Sequence, residues 1–341
     1  MTDDGVTENR VGSPLIRCLG ETDAAPKFDR YEGITDASAA FALDGDCFVV
    51  FDDERKALRV YRFGEPGLVD KIRIKDWLGD VKGEEFDFEG AVKVGKTIFA
   101  ITSHGRKDGG KDDTPARRLI GYPKPTRHRF FAFTLARQKR DVALDTFHGY
   151  RTDLVAAIHA SKPYRRYDLD AASHFTSQTG HGLNIEGLAA WKENGVLIGL
   201  RAPTVEGGRA LLIPLLNPKA FASGDKKARF GAPVTLDLGG RGIRDIVRRD
   251  NGSYLIVAGP AQNKGTFALY VWSGQSGADA GLLHEFDYDA ALELKPEVVF
   301  AIPGTEDVYV LSDDGDFSKP RNGDAALRSL HFRGLRLSLK A

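Results

Sequence analysis

A chain of 341 residues that is 42% apolar and 28% charged has ample material for a large core, and none of its apolar runs approaches the ~18 residues of a membrane span. Its 48 basic and 48 acidic residues leave a formal charge of zero, which excludes recruitment of nucleic acid or an anionic membrane by a global field. The two cysteines, Cys18 and Cys47, have no CxxC neighbour and argue against a zinc knuckle or a disulfide framework.

Residues 1–10 are polar and lack the apolar stretch of a signal peptide, so they read as a disordered N-terminus ahead of one domain over 11–341. The expected location is cytoplasmic, or periplasmic if a signal peptide has been removed. The first apolar run, Pro14–Leu19, has no partner strand close by in sequence. From there on, short runs of Val, Ile, Phe and Tyr alternate with Gly, Pro, Asn and Asp, the pattern of many short antiparallel strands.

Five segments repeat one design: a polar residue, a strand, a tight turn and a second apolar strand. They begin at Ser38, Glu89, Glu186, Asp245 and Glu297, with turn chemistry at Asp44-Gly45, Gly95-Lys96, Asn194-Gly195, Asn251-Gly252 and Pro303-Gly304. Fifteen residues after each leading residue stand Asp53, His104, Arg201, Pro260 and Ser312, just past the second strand. The spacings of 51, 97, 59 and 52 residues suit four-stranded blades with one large insertion. Outer strands are expected at Leu58–Phe63 and Lys71–Ile74, Arg129–Thr134 and Val142–Phe147, Ala210–Leu215 and Pro233–Leu238, and Phe267–Trp272 and Leu282–Phe286. For the last hairpin they are Leu327–Phe332 and Leu335–Leu339.

The predicted fold is an all-β, five-bladed propeller of four-stranded antiparallel blades, closed into a ring by the N-terminal run so that no long sheet edge is exposed. An open β-sandwich and a six-bladed ring are the alternatives. Tyr61, Trp77, Trp191 and Trp272 read as packing between blades. Two insertions are expected on the channel-mouth face. One, residues 105–129, holds eight Lys or Arg against three Asp. The other, residues 150–184, opens with a short helix after Thr152 and carries Arg165, Arg166, His174 and His181.

In a propeller the start of each inner strand and the end of the next lie on one face. Ser38, Glu89, Glu186, Asp245 and Glu297 are therefore predicted around one mouth, rimmed by Asp52, Asp53, His104, Arg106, Arg201 and Asp313. Converging carboxylates need a cation, protonation or water, and oxygen ligands without Cys suit Ca2+. A water-filled channel whose carboxylates bond to backbone N–H groups is the alternative. The basic insertion reads as a lid over an anion or as a solvated loop. His104 reads as a general base or as a hydrogen-bonded structural residue.

Asp87-Phe88-Glu89-Gly90 with Thr102-Ser103-His104-Gly105-Arg106, Asn184-Ile185-Glu186-Gly187-Leu188, Gly199-Leu200-Arg201-Ala202-Pro203 and Ala210–Leu215 carry a family resemblance. Over nearly its whole length the chain resembles a bacterial propeller family catalogued as a domain of unknown function. The resemblance implies a propeller and no established activity. More distantly, one polar residue per blade around a central ion is similar to the calcium-activated nucleotidases (apyrases), and the Glu-Gly-Leu strand start to phytase-like esterase propellers.

Two functions follow. The first is a Ca2+-assisted hydrolase of a small anionic ester, such as a phosphoester, working as a monomer. Ser38, Glu89, Glu186, Asp245 and Glu297 would hold the ion, Arg106, Arg201 and Asp313 the substrate, and His104 or Asp53 the attacking water. The second is a non-catalytic propeller binding a ligand or protein at the same mouth. A glycan-processing enzyme is a third option, requiring two carboxylates ~5–5.5 or ~6.5–9.5 Å apart.

Overall fold

The computed structural model describes residues 17–18, 27–52, 57–73, 77, 86–138, 141–262, 265–286, 294–315 and 330–338. Two short strands come first in the chain, β1 (Arg17–Cys18) and β2 (Asp29–Glu32). Blade one follows as β3 (Ala40–Ala42), β4 (Cys47–Asp52), β5 (Ala57–Arg62) and β6 (Leu68–Arg73). Blade two is β7 (Phe88–Val94), β8 (Thr97–Thr102), β9 (Phe130–Gln138) and β10 (Asp141–Arg151), and blade three β11 (Asn184–Trp191), β12 (Gly195–Ala202), β13 (Ala210–Leu215) and β14 (Val234–Leu236). Blade four is β15 (Gly242–Arg248), β16 (Tyr254–Gly259), β17 (Phe267–Trp272) and β18 (Gly281–Phe286). Blade five contributes β19 (Pro296–Ala301), β20 (Asp307–Ser312) and β21 (His331–Ser338).

The inner strands meet in a closed cycle, β3 against β7, then β11, β15, β19 and β3 again, so the chain is a five-bladed β-propeller. Blade five is completed from the other end of the chain: Arg17 and Cys18 pair with Ser338 and Leu337, and Asp29–Glu32 pair with Gly334–His331. The predicted closure by the N-terminal run is thus present. The two strands expected within 327–339 are a single strand, β21, and the outermost place they would have filled goes to β1 and β2. Residues 327–329 and 339 lie outside the described residues.

Propeller blades explain why middle strands such as β8, β12, β13 and β16 are apolar throughout rather than alternating. These strands are buried on both faces, so successive residues of one strand enter different seams. In β8, Phe99 and Ile101 pack toward blade three while Ile98 and Ala100 pack toward blade one. In β16, Ile256 faces blade three and Leu255 and Val257 face blade five. Each of these Ile, Leu, Val and Phe side chains stabilises the ring by about 1.5–3 kcal/mol on burial. The predicted aromatic packing is present as well: the Trp191 and Trp272 rings stack across the blade three–four seam, 6.1 Å apart and 4° from parallel.

The second insertion belongs to this core. Its helices α2 (Leu154–Ala160) and α3 (Leu169–Ala172) bury Leu154, Ile158 and Leu169 on the blade two–three seam. The first insertion carries a further short helix, α1 (Pro115–Ile120), capped by Thr114 Oγ1, which accepts from Arg117 N at 3.2 Å. Among the described residues no helix is long and apolar enough to cross a membrane.

The closure depends on Tyr31. It is fully buried, stacks on Phe332 at 5.1 Å, meets Phe48 edge-on at 5.0 Å and shares a 2.7 Å hydroxyl hydrogen bond with Tyr309. Tyr31→Ala is expected to lower unfolding stability by about 3–5 kcal/mol in urea titrations, against ~0.5 kcal/mol or less for the exposed neighbour Arg30→Ala.

Candidate functional site at the channel mouth

Four inner strands share one irregularity. The pairing register breaks between Phe88 and Gly90, Ile185 and Gly187, Ile243 and Asp245, and Pro296 and Val298. Each break leaves one residue without an opposite number: Glu89, Glu186, Arg244 and Glu297. Such bulges bend a strand and re-aim a side chain. In blade one the ladder reaches Ala39, whose carbonyl accepts from Phe51 N at 2.9 Å, and half-buried Ser38 is the next residue toward the mouth.

The glycine after Glu89 and Glu186 is a consequence of ring geometry. A Cβ on Gly90 would come within 2.8 Å of Glu186 O, and one on Gly187 within 2.7 Å of the Ile243 side chain. The Glu-Gly pair therefore combines a bulged carboxylate with a position where the adjacent inner strand passes too close for any side chain.

In blade four the bulged residue is Arg244, one position before Asp245. Its guanidinium is almost wholly buried and reaches both neighbouring blades. Arg244 Nη1 lies 3.1 Å from Glu186 Oε2 and 3.3 Å from Glu186 Oε1, and Arg244 Nη2 pairs with Glu297 Oε1. Burial lowers the Arg244 pKa, opposed by the charge of Glu186. Glu186 Oε1 also accepts from Arg201 Nη1 at 2.9 Å and Asn184 Nδ2 at 2.7 Å. Arg201 is held in place by Pro260 O, which accepts from its Nε at 3.2 Å. Burial works against the charge on Arg201, and Glu186 together with Glu89 and Asp108 more than offsets it, raising its pKa.

Glu89 and Asp313 lie within electrostatic range of Arg244, and Glu89 and Asp108 within range of Arg201. Predicted residues Glu89, Glu186, Glu297, Arg201 and Asp313 therefore share one neighbourhood. Asp245 turns away into the seams. Its Oδ1 accepts from Ile246 N at 2.8 Å and its Oδ2 from Val299 N of blade five at 2.9 Å, with a further bond from Leu188 N of blade three. Its pKa is raised by burial despite these donors. Asp53 lies outside the described residues, as does the Asp52 side chain.

His104 is fully buried with φ +53, in the left-handed region. Its Nδ1 bonds to Thr102 O at 2.8 Å, and its Nε2 has no hydrogen-bond partner among the described residues. Burial brings its pKa down to about 3, so the ring is neutral near pH 7. Arg106 is taken up within the first insertion, donating to Ile120 O at 3.0 Å.

The basic insertion is stitched down rather than hinged. Arg106 bridges Thr176 of the second insertion, Thr176 N donates to Leu119 O at 3.0 Å, and Lys107 pairs with Tyr122. Arg127 pairs with Asp87 at 3.0 Å, and Arg129 lies over the rings of Phe86 and Tyr150. Four of the positive charges that suggested a lid, at Arg106, Arg117, Arg127 and Arg129, are thus engaged within the protein.

Sequence reasoning missed Arg244 because the nearest acid, Asp245, completed the repeat at the expected offset. A signal was available. Aligning Ile185-Glu186-Gly187 with Ile243-Arg244-Asp245 places the arginine at the bulge.

Residues 169–307 match the model of a family described as a protein of unknown function (DUF3616), which bears out the resemblance seen in the motifs over that stretch. No curated protein matches the sequence. Solved structures resemble the chain in fold. The PQQ-bound aldose sugar dehydrogenase of Streptomyces coelicolor covers 96% of this chain and 100% of its own at 11% identity, with a TM-score of 0.45. An oxidoreductase described as a glucose dehydrogenase, from Thermus thermophilus, covers 91% and 100% at 11% identity and 0.42. An exo-β-1,3-galactanase from Phanerochaete chrysosporium covers 95% and 64% at 8% identity and 0.43. Similarity at this level carries no information about chemistry.

Two outcomes are expected. Arg244→Met leaves half-buried Glu297 without its counter-charge and takes one of two arginines from buried Glu186, and should cost roughly 3 kcal/mol, much of it recovered by adding Glu297→Leu. His104 binds a proton less readily folded than unfolded. Its stabilising contribution is complete above pH 6.5 and is lost as pH falls toward 3, by up to about 1.4 kcal/mol per pH unit. His128, whose pKa is also lowered by burial, acts in the same direction. Urea midpoints at pH 7.5, 6 and 5 should therefore fall less steeply for His104→Asn, which tolerates the left-handed backbone; parallel slopes would show that His104 does not titrate in this way.

Proposed function

We propose that this propeller is a binding protein whose channel mouth holds a small, uncharged, hydroxyl-rich ligand without turning it over. The observation that carries the reading is the Glu186–Arg244–Glu297 bridge with Arg201 beside it. Donors and acceptors alternate there within a few ångströms, already oriented by buried partners. A hydroxyl can donate to a carboxylate and accept from a guanidinium at once, so a polyol matches such an array. The charge balance points the same way. Among the described residues, Glu89, Glu186, Glu297, Asp108 and Asp313 lie around Arg201 and Arg244, an acidic excess that disfavours an anion, while the two guanidiniums disfavour a cation.

The pairing of the carboxylates supports this reading over the expected Ca2+ ion. Ca2+ takes six to eight oxygen ligands. Both oxygens of Glu186 face arginine, Glu297 is paired with Arg244, and Asp245 serves backbone N–H groups. Among the described residues no group of three or more His, Cys, Asp or Glu side chains could hold a metal ion. Hydrolysis also lacks a suitable base in His104, whose ring is buried and binds a proton only in strong acid.

A ligand panel monitored by thermal shift and calorimetry tests this reading. Neutral sugars and polyols should raise the melting temperature, whereas polyamines and sugar phosphates should not. Glu297→Gln should weaken binding about tenfold, or ~1.4 kcal/mol. EDTA-sensitive turnover of a phosphoester or lactone, or stabilisation by anions alone, would overturn it in favour of the metal-assisted hydrolase.

A further inference from the structure

The mouth does not end at Arg201. A cleft of about 500 Å³ opens directly beside it, lined by Pro260 and Gln262, whose carbonyls accept from the Arg201 guanidinium. A second cleft, of about 540 Å³, lies farther out on blade three and is walled by Arg166, Tyr167, Arg209 and Thr235. Thr204 lines both. The strand ends explain the direction. Thr204 follows the mouth-side end of β12, Arg209 precedes the mouth-side start of β13, and Thr235 pairs with Leu211 in the adjoining β14. One track therefore runs from the Arg244 bridge across Arg201 and Thr204 to the edge of blade three.

Each cleft alone has the volume of a small-molecule site, ~300–1,000 Å³, so the track offers far more room than a ligand confined to the mouth would need. Its chemistry continues that of the mouth. Thr204, Thr235 and Thr266 supply hydroxyls. The outer end has an aromatic wall, Tyr167, with the Arg166 guanidinium 4.7 Å over its ring and donating to its hydroxyl at 2.6 Å. Hydrogen-bonding groups of both senses beside an aromatic wall suit the polar edges and apolar faces of linked sugar rings.

We infer that the ligand of the mouth is the end unit of a neutral oligosaccharide, with the following units lying along the Thr204 track toward Tyr167. This rests on the polyol reading of the mouth. Calorimetry on the intact chain with linear neutral glucans, galactans and mannans of one to six units tests both. Affinity for the recognised series should climb at least tenfold between one and four units. Tyr167→Ala, and independently the exposed Arg166→Ala, should bring the affinity for the longest chain down toward that for the monosaccharide. Glu297→Gln should weaken every length by a similar factor. Equal affinity at all lengths would overturn the track and leave the mouth reading standing. Absence of binding by any member of the three series would sink both.

Discussion

Every inner strand with a described register break has one residue more than its partner can pair, and the propeller turns that excess into a site. The bulge lies where the strand leaves the channel mouth, so its unpaired residue projects from the start of a rigid ladder rather than from a loop. Three bulges on consecutive blades meet through Arg244, which joins Glu186 of blade three to Glu297 of blade five. A buried guanidinium between two carboxylates offers little net stability against an apolar replacement. It does define a geometry, because Arg244 without its carboxylates would be a buried, uncompensated charge.

Two neighbouring residues divide two tasks. Arg244 faces the axis and couples the mouth, while Asp245 faces the seams and ties Val299 and Leu188 to blade four. The alternation of a β-strand makes this division automatic. It also means that the blades on either side of blade four are joined twice, by charge at the axis and by backbone hydrogen bonds in the seams. The mouth is consequently a rigid feature of the ring, suited to presenting fixed donors and acceptors rather than to closing around a ligand.

The insertions reinforce this rigidity. The segment that reads as a basic lid in sequence has four of its arginines on backbone carbonyls, an aspartate and aromatic rings, and is held to the second insertion through Thr176. The second insertion is in turn part of the blade two–three core. What remains open is the flank beyond Arg201, where the chain turns between β12 and β13 and the second insertion borders the clefts through Tyr167 and His181.

Short-range pattern alone settled the blades. Continuous apolar strands, hairpin turns and a repeated polar residue followed from local chemistry, because the middle strands of each blade are buried on both faces and a hairpin turn must reverse within a few residues. The Glu-Gly pairs were visible for the same reason, since close passage of the next strand admits no Cβ at Gly90 or Gly187. Register across the ring was not visible. A one-residue shift exchanges the axial and seam roles of Arg244 and Asp245, and only the opposed strand, with Val257 facing Asp245, decides which residue is the bulge. Charge pairing behaved likewise. Composition announced equal numbers of acids and bases, but which guanidinium met which carboxylate depended on residues brought together from blades far apart in the chain.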